Sequence, residues 1–435
     1  MEKYGVNVEL VRLSYGSFQQ EVNLMLASGE KLDLFPNFSF TTMSASATGQ
    51  IIPLDDLLAE YGQDILDVVP EEDWGVETFG GQIYAVPNGK EHAEGFGFVC
   101  RTDMLEALDY DIDSIKTDDD VEGLLAAVKE KYPDVYPLVS DNGQMSYYMG
   151  HKDDLGGDFG VLVDCIEENY TIENWYESDE FYKLAERRYN WAQAGYIMPD
   201  AETNTQNAYD LIGAGKAFGY YGNTKPGIEN EWARKAGVEM TMIEITSPYR
   251  TSSTGMNCWF IAHNSEQPDK AMMVLNIFLN FFITFTPNTY PEVSELVING
   301  IEGEHYVKNG DVLTYPEGVD ASNTTYSSAG WVWPNEFIST PWEADGPDIW
   351  KDTEAFNDIA LLSVAFGFNW NSEDVMTEIT ACSNVKAKYE NALLCGALDP
   401  ATTIPKFVEE LKDAGVDDII AEKQRQLDEW RSEQN

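Results

Sequence analysis

The chain has few of the residues on which hydrolases and metalloproteins depend. Its four histidines are His92, His151, His263 and His305, and none lies in an H-E-x-x-H pattern or a similar metal-binding spacing. It also lacks a G-x-S-x-G elbow, a P-loop and a dinucleotide-binding fingerprint. We therefore expect a protein without catalytic residues, bound metal or cofactor, although a carboxylate pair for glycoside hydrolysis could lie among its 76 acidic residues.

Cysteine is also scarce. The five cysteines form no C-x-x-C pair, and their odd number argues against a complete disulfide framework. Buried free thiols are the expectation. One bridge, between Cys382 and Cys395, stays open as an alternative.

Basic residues are few, with 27 Lys and Arg against 76 Asp and Glu, a formal net charge of −49. Such a surface repels phosphate backbones, so nucleic acid is excluded as a partner. It suits neutral or cationic ligands, although a plain solvated surface also accounts for it.

Long apolar runs are absent too. The most apolar stretch, "AMMVLNIFLNFFITF", is interrupted by Asn276 and Asn280 and predicts a buried helix. No signal peptide is visible. The start, "MEKYGVNVELVRL", is typical of a helix end followed by a strand, so we expect a first strand and any export signal to lie outside this sequence.

What is present is an alternation of strand and helix patterns. The strand patterns "VNVELVRL", "LDLFPNF" and "QIYAVPN" alternate with the helix patterns "SFQQEVNLMLASGE" and "IIPLDDLLAEYG". This order predicts an α/β protein with a largely parallel sheet. The C-terminal quarter reads as helices, with Gly396 and Gly415 at helix ends.

One acidic segment, "DYDIDSIKTDDD", approaches an EF-hand frame. Ser114 stands where that frame requires glycine, and Asp120 stands where it requires glutamate. A capping box of Thr117 and Asp120 accounts for the pattern, so calcium is not expected.

A resemblance to a known family rests on an ordered set of segments. They are "EKLDLFPNF", "GGQIYAVP", "GFGFVCRTDMLEAL", "AGKAFGYYGN" and "SPYRTSSTGMNCWFIAHNSEQPDKAMMVLNIFL". Their order resembles that of the extracellular solute-binding proteins of ABC importers, most of all the carbohydrate-binding family 1. The segment "LVINGIEGEHYVKNGD" and the helical C-terminus resemble a lipoprotein branch of that family with a DUF3502-like helical region.

The resemblance implies a two-lobed, type II periplasmic-binding-protein fold, with two sheets flanked by helices and a cleft between the lobes. Residues 1–95 and 255–300 would form lobe 1, and residues 96–254 and 301–435 would form lobe 2. The implied protein is a monomeric cell-surface lipoprotein whose signal and lipid anchor lie outside this sequence. It would capture a sugar, most simply an oligosaccharide, and deliver it to permease subunits of an ABC transporter by lobe closure. A peptide or other non-sugar solute on the same fold, and an acidic secreted glycosidase, remain as alternatives.

Aromatic residues supply candidate sugar contacts, because sugar rings pack C–H groups on flat aromatic faces while polar groups fix their hydroxyls. In "SSAGWVWPNEF", Trp331 and Trp333 would share one face if the segment is a strand, as a buried pair or as a ligand platform. The setting is also typical of a loop, in which only one of the two would meet the ligand. Trp259 could equally be a core residue, and Trp370 lies between two asparagines.

The resemblance adds further candidates at positions where the family places ligand contacts. Glu94 matches by spacing alone, and a solvated loop carboxylate is the simpler interpretation. The others follow strands that the resemblance places beside the cleft: Phe40, Tyr147, Tyr148, Tyr221 and Asn223.

Overall fold

The structure is a computed structural model that describes residues 5–13, 17–38, 40–157, 159–252, 257–279, 291–321, 323–326, 328 and 330–433. These residues fall into two compact units. Unit 1 is drawn from residues 1–92, 255–350 and 367–371, and unit 2 from 93–254, 351–366 and 372–435.

The helices and strands follow one another along the whole chain. The helices are α1 (Phe18–Ser28), α2 (Thr42–Ala47), α3 (Asp55–Tyr61), α4 (Gln63–Val68), α5 (Glu71–Val76), α6 (Thr102–Leu108), α7 (Val121–Lys131), α8 (Asp179–Gln193), α9 (Ala208–Gly213), α10 (Ile228–Ala236), α11 (Pro268–Leu279), α12 (Pro291–Ile298), α13 (Ile349–Asp358), α14 (Met376–Leu394), α15 (Pro400–Asp413) and α16 (Val416–Glu433). The strands are β1 (Leu34–Pro36), β2 (Thr78–Phe79), β3 (Gln82–Ile83), β4 (Val86–Pro87), β5 (Gly95–Arg101), β6 (Tyr136–Leu138), β7 (Val161–Asp164), β8 (Asn169–Glu173), β9 (Ala217–Thr224), β10 (Met240–Glu244), β11 (Tyr249–Arg250), β12 (Cys258–Ile261), β13 (Val307–Asn309), β14 (Val312–Thr314) and β15 (Leu361–Leu362).

The division into units differs from the predicted lobes chiefly for residues 301–350, which were assigned to lobe 2 and lie in unit 1. Residues 367–371 differ in the same sense, and residues 93–95, assigned to lobe 1, lie in unit 2. Hydrogen bonds show why residues 301–350 belong to unit 1. Glu336 N donates to Gly89 O at 2.9 Å. The Asn88 side chain donates to Trp331 O at 3.1 Å. Such pairings between distant segments leave no local pattern in the sequence.

Unit 1 is built on a three-stranded sheet in the order β1-β12-β4, with both pairs antiparallel. On one face, Phe35 and Phe260 pack against Val22 and Leu26 of α1. On the other face, Ile261 packs with residues of α3 and α11. Helix α1 is as predicted: its apolar face of Val22, Met25 and Leu26 is buried, and Gly29 ends it with a φ of 70°.

Unit 2 is built on a four-stranded sheet in the order β10-β5-β9-β6. β5 is antiparallel to both neighbours, and β6 alone is parallel, to β9. The predicted largely parallel arrangement is therefore wrong, because β5 pairs with strands that arrive later and run the opposite way. Glycine permits the close fit, since a Cβ on Gly97 would lie 2.5 Å from Ile243 O.

The C-terminal helices α14, α15 and α16 pack on one another, and α14 and α15 also pack on α8, as the sequence predicted a helical end. Phe407 of α15 is fully buried and lies 4.8 Å from the Tyr176 ring. Cys382 and Cys395 are both free and buried, as are the other three cysteines. The expectation of buried free thiols is confirmed, and the Cys382–Cys395 bridge is absent.

Two local predictions are wrong. Residues 6–13 lie outside any strand. Helix α7 begins at Val121 rather than directly after Thr117, although the Asp120 carboxylate accepts from Thr117 N at 2.9 Å, which is one of the two contacts of the predicted capping box. In the part of the chain that the structure describes, no helix combines the length and apolar character needed to cross a membrane.

Candidate functional site

The predicted ligand contacts divide between the two units. Unit 1 holds Phe40, Trp259, Trp331, Trp333 and Trp370. Unit 2 holds Glu94, Tyr147, Tyr148, Tyr221 and Asn223. Each group has its own surroundings.

The Trp331–Trp333 segment is not a strand. Gly330–Val332 forms a single 3₁₀ turn, and Trp333 N donates to Gly330 O at 3.0 Å. A 3₁₀ turn repeats every three residues. Trp331 and Trp333 therefore point in different directions and have different neighbours.

Trp333 pairs with Trp259 of β12. Their ring centroids lie 6.2 Å apart with 18° between the planes. Phe278 of α11 packs 5.7 Å from Trp333 on the same cluster. Both indole nitrogens donate within unit 1, from Trp259 to Val332 O at 3.0 Å and from Trp333 to Ser328 Oγ at 2.7 Å. Both side chains are half-buried, so each keeps part of its surface for another contact.

Trp331 has a different setting. Its ring meets Phe38 edge to face at 5.6 Å, and Lys90 Nζ lies 6.0 Å from its centroid. Lys90 is only 5% exposed and pairs with Glu91 at 3.0 Å. A half-buried indole thus lies beside a buried ion pair, which places polar and flat apolar surface together.

Backbone contacts hold this segment in place. The Asn88 side-chain amide donates to Trp331 O and, at 3.3 Å, to Val332 O. Gly89 N donates to Pro334 O at 2.6 Å. A Cβ on Gly89 would lie 2.7 Å from the Asn335 side chain, so a larger residue here would require that side chain to move.

Phe40 and Trp370 contribute to packing. The Phe40 ring meets Phe18 at 6.4 Å and Phe35 at 5.6 Å, both edge to face, at the margin of the α1 core. Trp370 is 8% exposed, and Asn369 before it donates to Val76 O at 2.7 Å. Phe38, two residues before Phe40, is the phenylalanine that reaches Trp331.

Unit 2 carries a row of four aromatic rings, which we call the aromatic row: Tyr221, Phe96, Tyr148 and Tyr249. Tyr221 stacks on Phe96 at 5.4 Å with 5° between the planes, and Phe96 stacks on Tyr148 at 5.9 Å with 18°. Tyr249 follows Tyr148 at 5.9 Å. The strand register aligns the row, because Tyr221 lies opposite Phe98 and Asn223 opposite Phe96, on one face of the sheet.

The Tyr221 end of the aromatic row is buried. Tyr221 is 1% exposed, and the Arg188 guanidinium lies 4.4 Å from its ring centroid. Burial raises the pKa of Tyr221 well above its ordinary value. Tyr221 thus anchors the row from within the core.

At the other end of the aromatic row, Tyr148 and Tyr249 are half-buried. Glu94 joins this end through two backbone hydrogen bonds with Tyr249, each 2.9 Å. The pKa of Tyr249 is raised, first by burial and then by the negative charge of Glu94. Burial also raises the pKa of Tyr148. Neutral phenols and a carboxylate therefore meet here, and Asn223 is exposed on the same sheet face.

Tyr147 contacts Glu390 and Trp175 rather than the aromatic row. Its hydroxyl donates to Glu390 Oε1 at 3.1 Å, and its ring stacks on Trp175 at 6.3 Å with 5° between the planes. Consecutive tyrosines thus serve different parts of unit 2: Tyr147 meets α14, and Tyr148 meets the aromatic row.

Sequence reasoning missed several members of these clusters: Phe38, Lys90, Phe96, Phe278 and Tyr249. One signal was available, since Phe96 and Phe98 alternate in "GFGFVC" and so share a strand face. Tyr249 gave no such signal, because its partner Glu94 is remote in sequence. Within the described ranges, no group of three or more His, Cys, Asp or Glu residues is arranged to hold a metal ion.

Comparison with known proteins agrees with this architecture. The family model described as bacterial extracellular solute-binding protein matches residues 1–280, and a domain of unknown function, DUF3502, matches residues 364–432. A carbohydrate ABC transporter substrate-binding protein from Streptococcus pneumoniae serotype 4 is 24% identical over 99% of this chain and 85% of its own length.

Solved structures share the two-lobed α/β fold. The crystal structure of the N-glycan transport solute binding protein NgtS from S. pneumoniae aligns with a TM-score of 0.86 at 23% identity, covering 100% of this chain and 94% of that one. A human-milk-oligosaccharide (HMO) binding, ABC-transporter-associated protein from Bifidobacterium longum infantis aligns with a TM-score of 0.69 at 16% identity, covering 98% and 93%. Because the family model spans more than half of the sequence, the chain belongs to the bacterial extracellular solute-binding proteins, an extracytoplasmic family.

Proposed function

We propose that this protein binds an oligosaccharide and delivers it to an ABC importer, without chemical change to the sugar. The observation that carries the proposal is the half-buried end of the aromatic row, where Tyr148 and Tyr249 lie beside Glu94. Ring faces pack the C–H side of a sugar, and the carboxylate accepts hydrogen bonds from its hydroxyls. Trp331, beside Lys90, offers a second surface of this kind on unit 1.

The predicted contacts take different parts in this proposal. Each unit has its own proposed sugar-contacting residues: Tyr148, Glu94 and Asn223 on unit 2, and Trp331 on unit 1. Trp333 and Trp259 back the unit 1 surface and contribute their remaining exposed edges. Tyr221 and Tyr147 would support the aromatic row. Phe40 and Trp370 would contribute to unit 1 packing without touching the sugar.

Relatives support a sugar as the ligand. The S. pneumoniae relative is named a carbohydrate substrate-binding protein, and NgtS has been crystallised with Man1GlcNAc and with Man5GlcNAc. The net charge of −49 points the same way, because it favours a neutral ligand over an anionic one.

The proposal extends to partners and location. We propose a monomer that docks on ABC permease subunits and is tethered to the cell surface by a lipid anchor. The lipid anchor is supported by the resemblance of the segment "LVINGIEGEHYVKNGD" to the lipoprotein branch of the family.

Calorimetry with defined ligands tests the proposal. We expect micromolar or tighter binding of a mannose-rich or milk oligosaccharide, and none of a peptide of similar size. The matched variants are Tyr148→Ala and Trp331→Ala, with Trp232→Ala as control, since Trp232 stacks on Tyr220 on the opposite sheet face. Binding of peptides but not sugars would refute the sugar assignment. Chromatography of the recovered sugar tests the absence of catalysis: a shortened product would indicate a glycosidase.

A further inference from the structure

The C-terminal helical domain contacts the segment that carries Tyr148. This segment, Gly143–Tyr148, follows a tight turn in which Asp141 N donates to Gln144 O at 2.9 Å. Residues 145–149 lie outside helices and strands. A segment without its own ladder of hydrogen bonds takes its position from contacts with other elements.

Asn391 of α14 provides two such contacts. Its Nδ2 donates to Gly143 O at 2.7 Å, and its Oδ1 accepts from Met145 N at 3.3 Å. Both ends of one side-chain amide are thus satisfied by the backbone of one segment. This pairing fixes the distance of residues 143–145 from the helix.

Glu390, the preceding residue of α14, provides the next contact. Its Oε1 accepts from the hydroxyl of Tyr147 and, at 2.8 Å, from that of Tyr176. Its Oε2 lies 3.4 Å from Lys386 Nζ, one helical turn earlier. Consecutive residues of one helix therefore hold positions 143, 145 and 147, and Tyr148 follows directly.

Helix α14 is itself held firmly, so it can act as a fixed support. A Cβ on Gly396, at its C-terminal end, would lie 2.4 Å from Arg188 O of α8. The hydroxyl of Tyr389 donates to Glu410 Oε1 of α15 at 2.7 Å. Support from packed neighbours is what keeps a binding residue within a fraction of an ångström of its working position.

We propose that the domain of unknown function, residues 364–432, positions the ligand-contacting Tyr148 through Glu390 and Asn391. These two are positioning residues and do not touch the ligand. The effect on affinity rests on the proposed function, since it requires a sugar at Tyr148; the effect on the Tyr148 ring does not.

The test places one fluorotyrosine at position 148 and reads its ¹⁹F resonance, which reports ring stacking on Phe96 without any ligand. Asn391→Ala is expected to shift or broaden this resonance and to weaken sugar binding about tenfold, because two hydrogen bonds to the segment are lost. Ser383→Ala is the matched control, since it removes an exposed hydrogen bond to Ile379 O within α14 itself and should change neither readout. Circular dichroism confirms that each variant is folded at the measuring temperature.

A second pair covers the case in which Asn391→Ala does not fold. Glu390→Gln keeps an acceptor for the Tyr147 hydroxyl and should behave as the wild type, whereas Glu390→Ala should reproduce the shifted resonance. An unchanged resonance in both alanine variants overturns the proposal. A shifted resonance with unchanged affinity overturns the claim that this position sets binding. A shifted resonance in a protein that binds no sugar at all supports the positioning role and refutes the sugar function separately.

Discussion

The indole of Trp333 lies nearly parallel to that of Trp259, with 18° between the planes and 6.2 Å between the centroids. The pair joins β12 to a distant turn, since the Trp259 indole nitrogen donates to Val332 O, 73 residues further along the chain. The Trp333 indole nitrogen also donates within unit 1, to Ser328 Oγ. Trp331, two residues before Trp333, meets only the edge of Phe38 among the described aromatic rings. Two neighbouring tryptophans thus have separable roles, one in unit 1 packing and one at its surface.

Substitution of these tryptophans should separate stability from binding. Trp333→Ala is expected to lower the free energy of unfolding by about 2–3 kcal/mol, below the cost for a fully buried tryptophan. Trp331→Ala should cost about 1 kcal/mol, since it loses one edge contact, while sugar affinity falls about tenfold. Urea unfolding and calorimetry measure the two effects. A larger stability loss for Trp331→Ala than for Trp333→Ala would assign Trp331 to the core.

The aromatic row predicts that Tyr148 acts through its ring. Tyr148→Phe keeps the stacking on Phe96 and should bind sugar within about threefold of the wild type, whereas Tyr148→Ala should lose about tenfold. Tyr170→Ala is a suitable control, because the Tyr170 ring packs 4.0 Å under Arg431 and not in the row. Equal losses for the Phe and Ala variants would show that the hydroxyl, not the ring, carries the contact.

Lys423 of α16 should be a stability residue. It is fully buried, and its ammonium donates to the carbonyls of Asp154, Gly157 and Gly160 at 3.0, 3.2 and 2.9 Å. Lys423→Met leaves these carbonyls without that donor, and we expect a loss of about 3 kcal/mol or more in urea unfolding.

The control for Lys423 is Lys412→Met. Lys412 pairs with Glu177 at 2.7 Å on the surface of the same helical region, where an ion pair contributes at most about 1 kcal/mol. Similar losses for the two variants would contradict the buried role of Lys423.

Glu77 should make stability depend on pH. Burial raises its pKa to about 7 from an ordinary 4.5; hydrogen bonds from Thr42 and Cys258 oppose this, and the charge of Asp73 adds to it. Because the folded-state pKa lies above the unfolded one, the contribution of Glu77 is fully present below about pH 4.5 and is lost as pH rises through 7.

Glu77→Gln tests this dependence, because glutamine keeps an acceptor for Thr42 and carries no charge. Relative to the wild type, the variant should gain about 1–3 kcal/mol of stability between pH 5 and pH 8. Glu72→Gln, on the exposed side of α5, should leave the curve unchanged. A constant difference between Glu77→Gln and the wild type would show that Glu77 is ionised throughout this range.

Much of the local structure could be predicted from the sequence. Helix α1, with its buried Val22 and Leu26, follows from spacing alone, because neighbours along the chain determine a helix. The apolar runs at β5 and β9 also predicted these two strands correctly. The strand predicted at residues 6–13 shows where this reasoning fails, since an alternating pattern forms a strand only when another segment pairs with it.

By itself, the sequence determined the family, the acidic composition and the wealth of aromatic residues. That Cys382 and Cys395 are both free was decided by the structure. The tertiary structure decided which aromatic rings meet. Glu94 joins Tyr249, and Tyr221 lies opposite Phe98, through strand pairings between remote segments. A 3₁₀ turn, rather than a strand, separated Trp331 from Trp333. The physical reason is common to all three: local periodicity states which face a residue occupies, but the partner on that face depends on how distant segments pair.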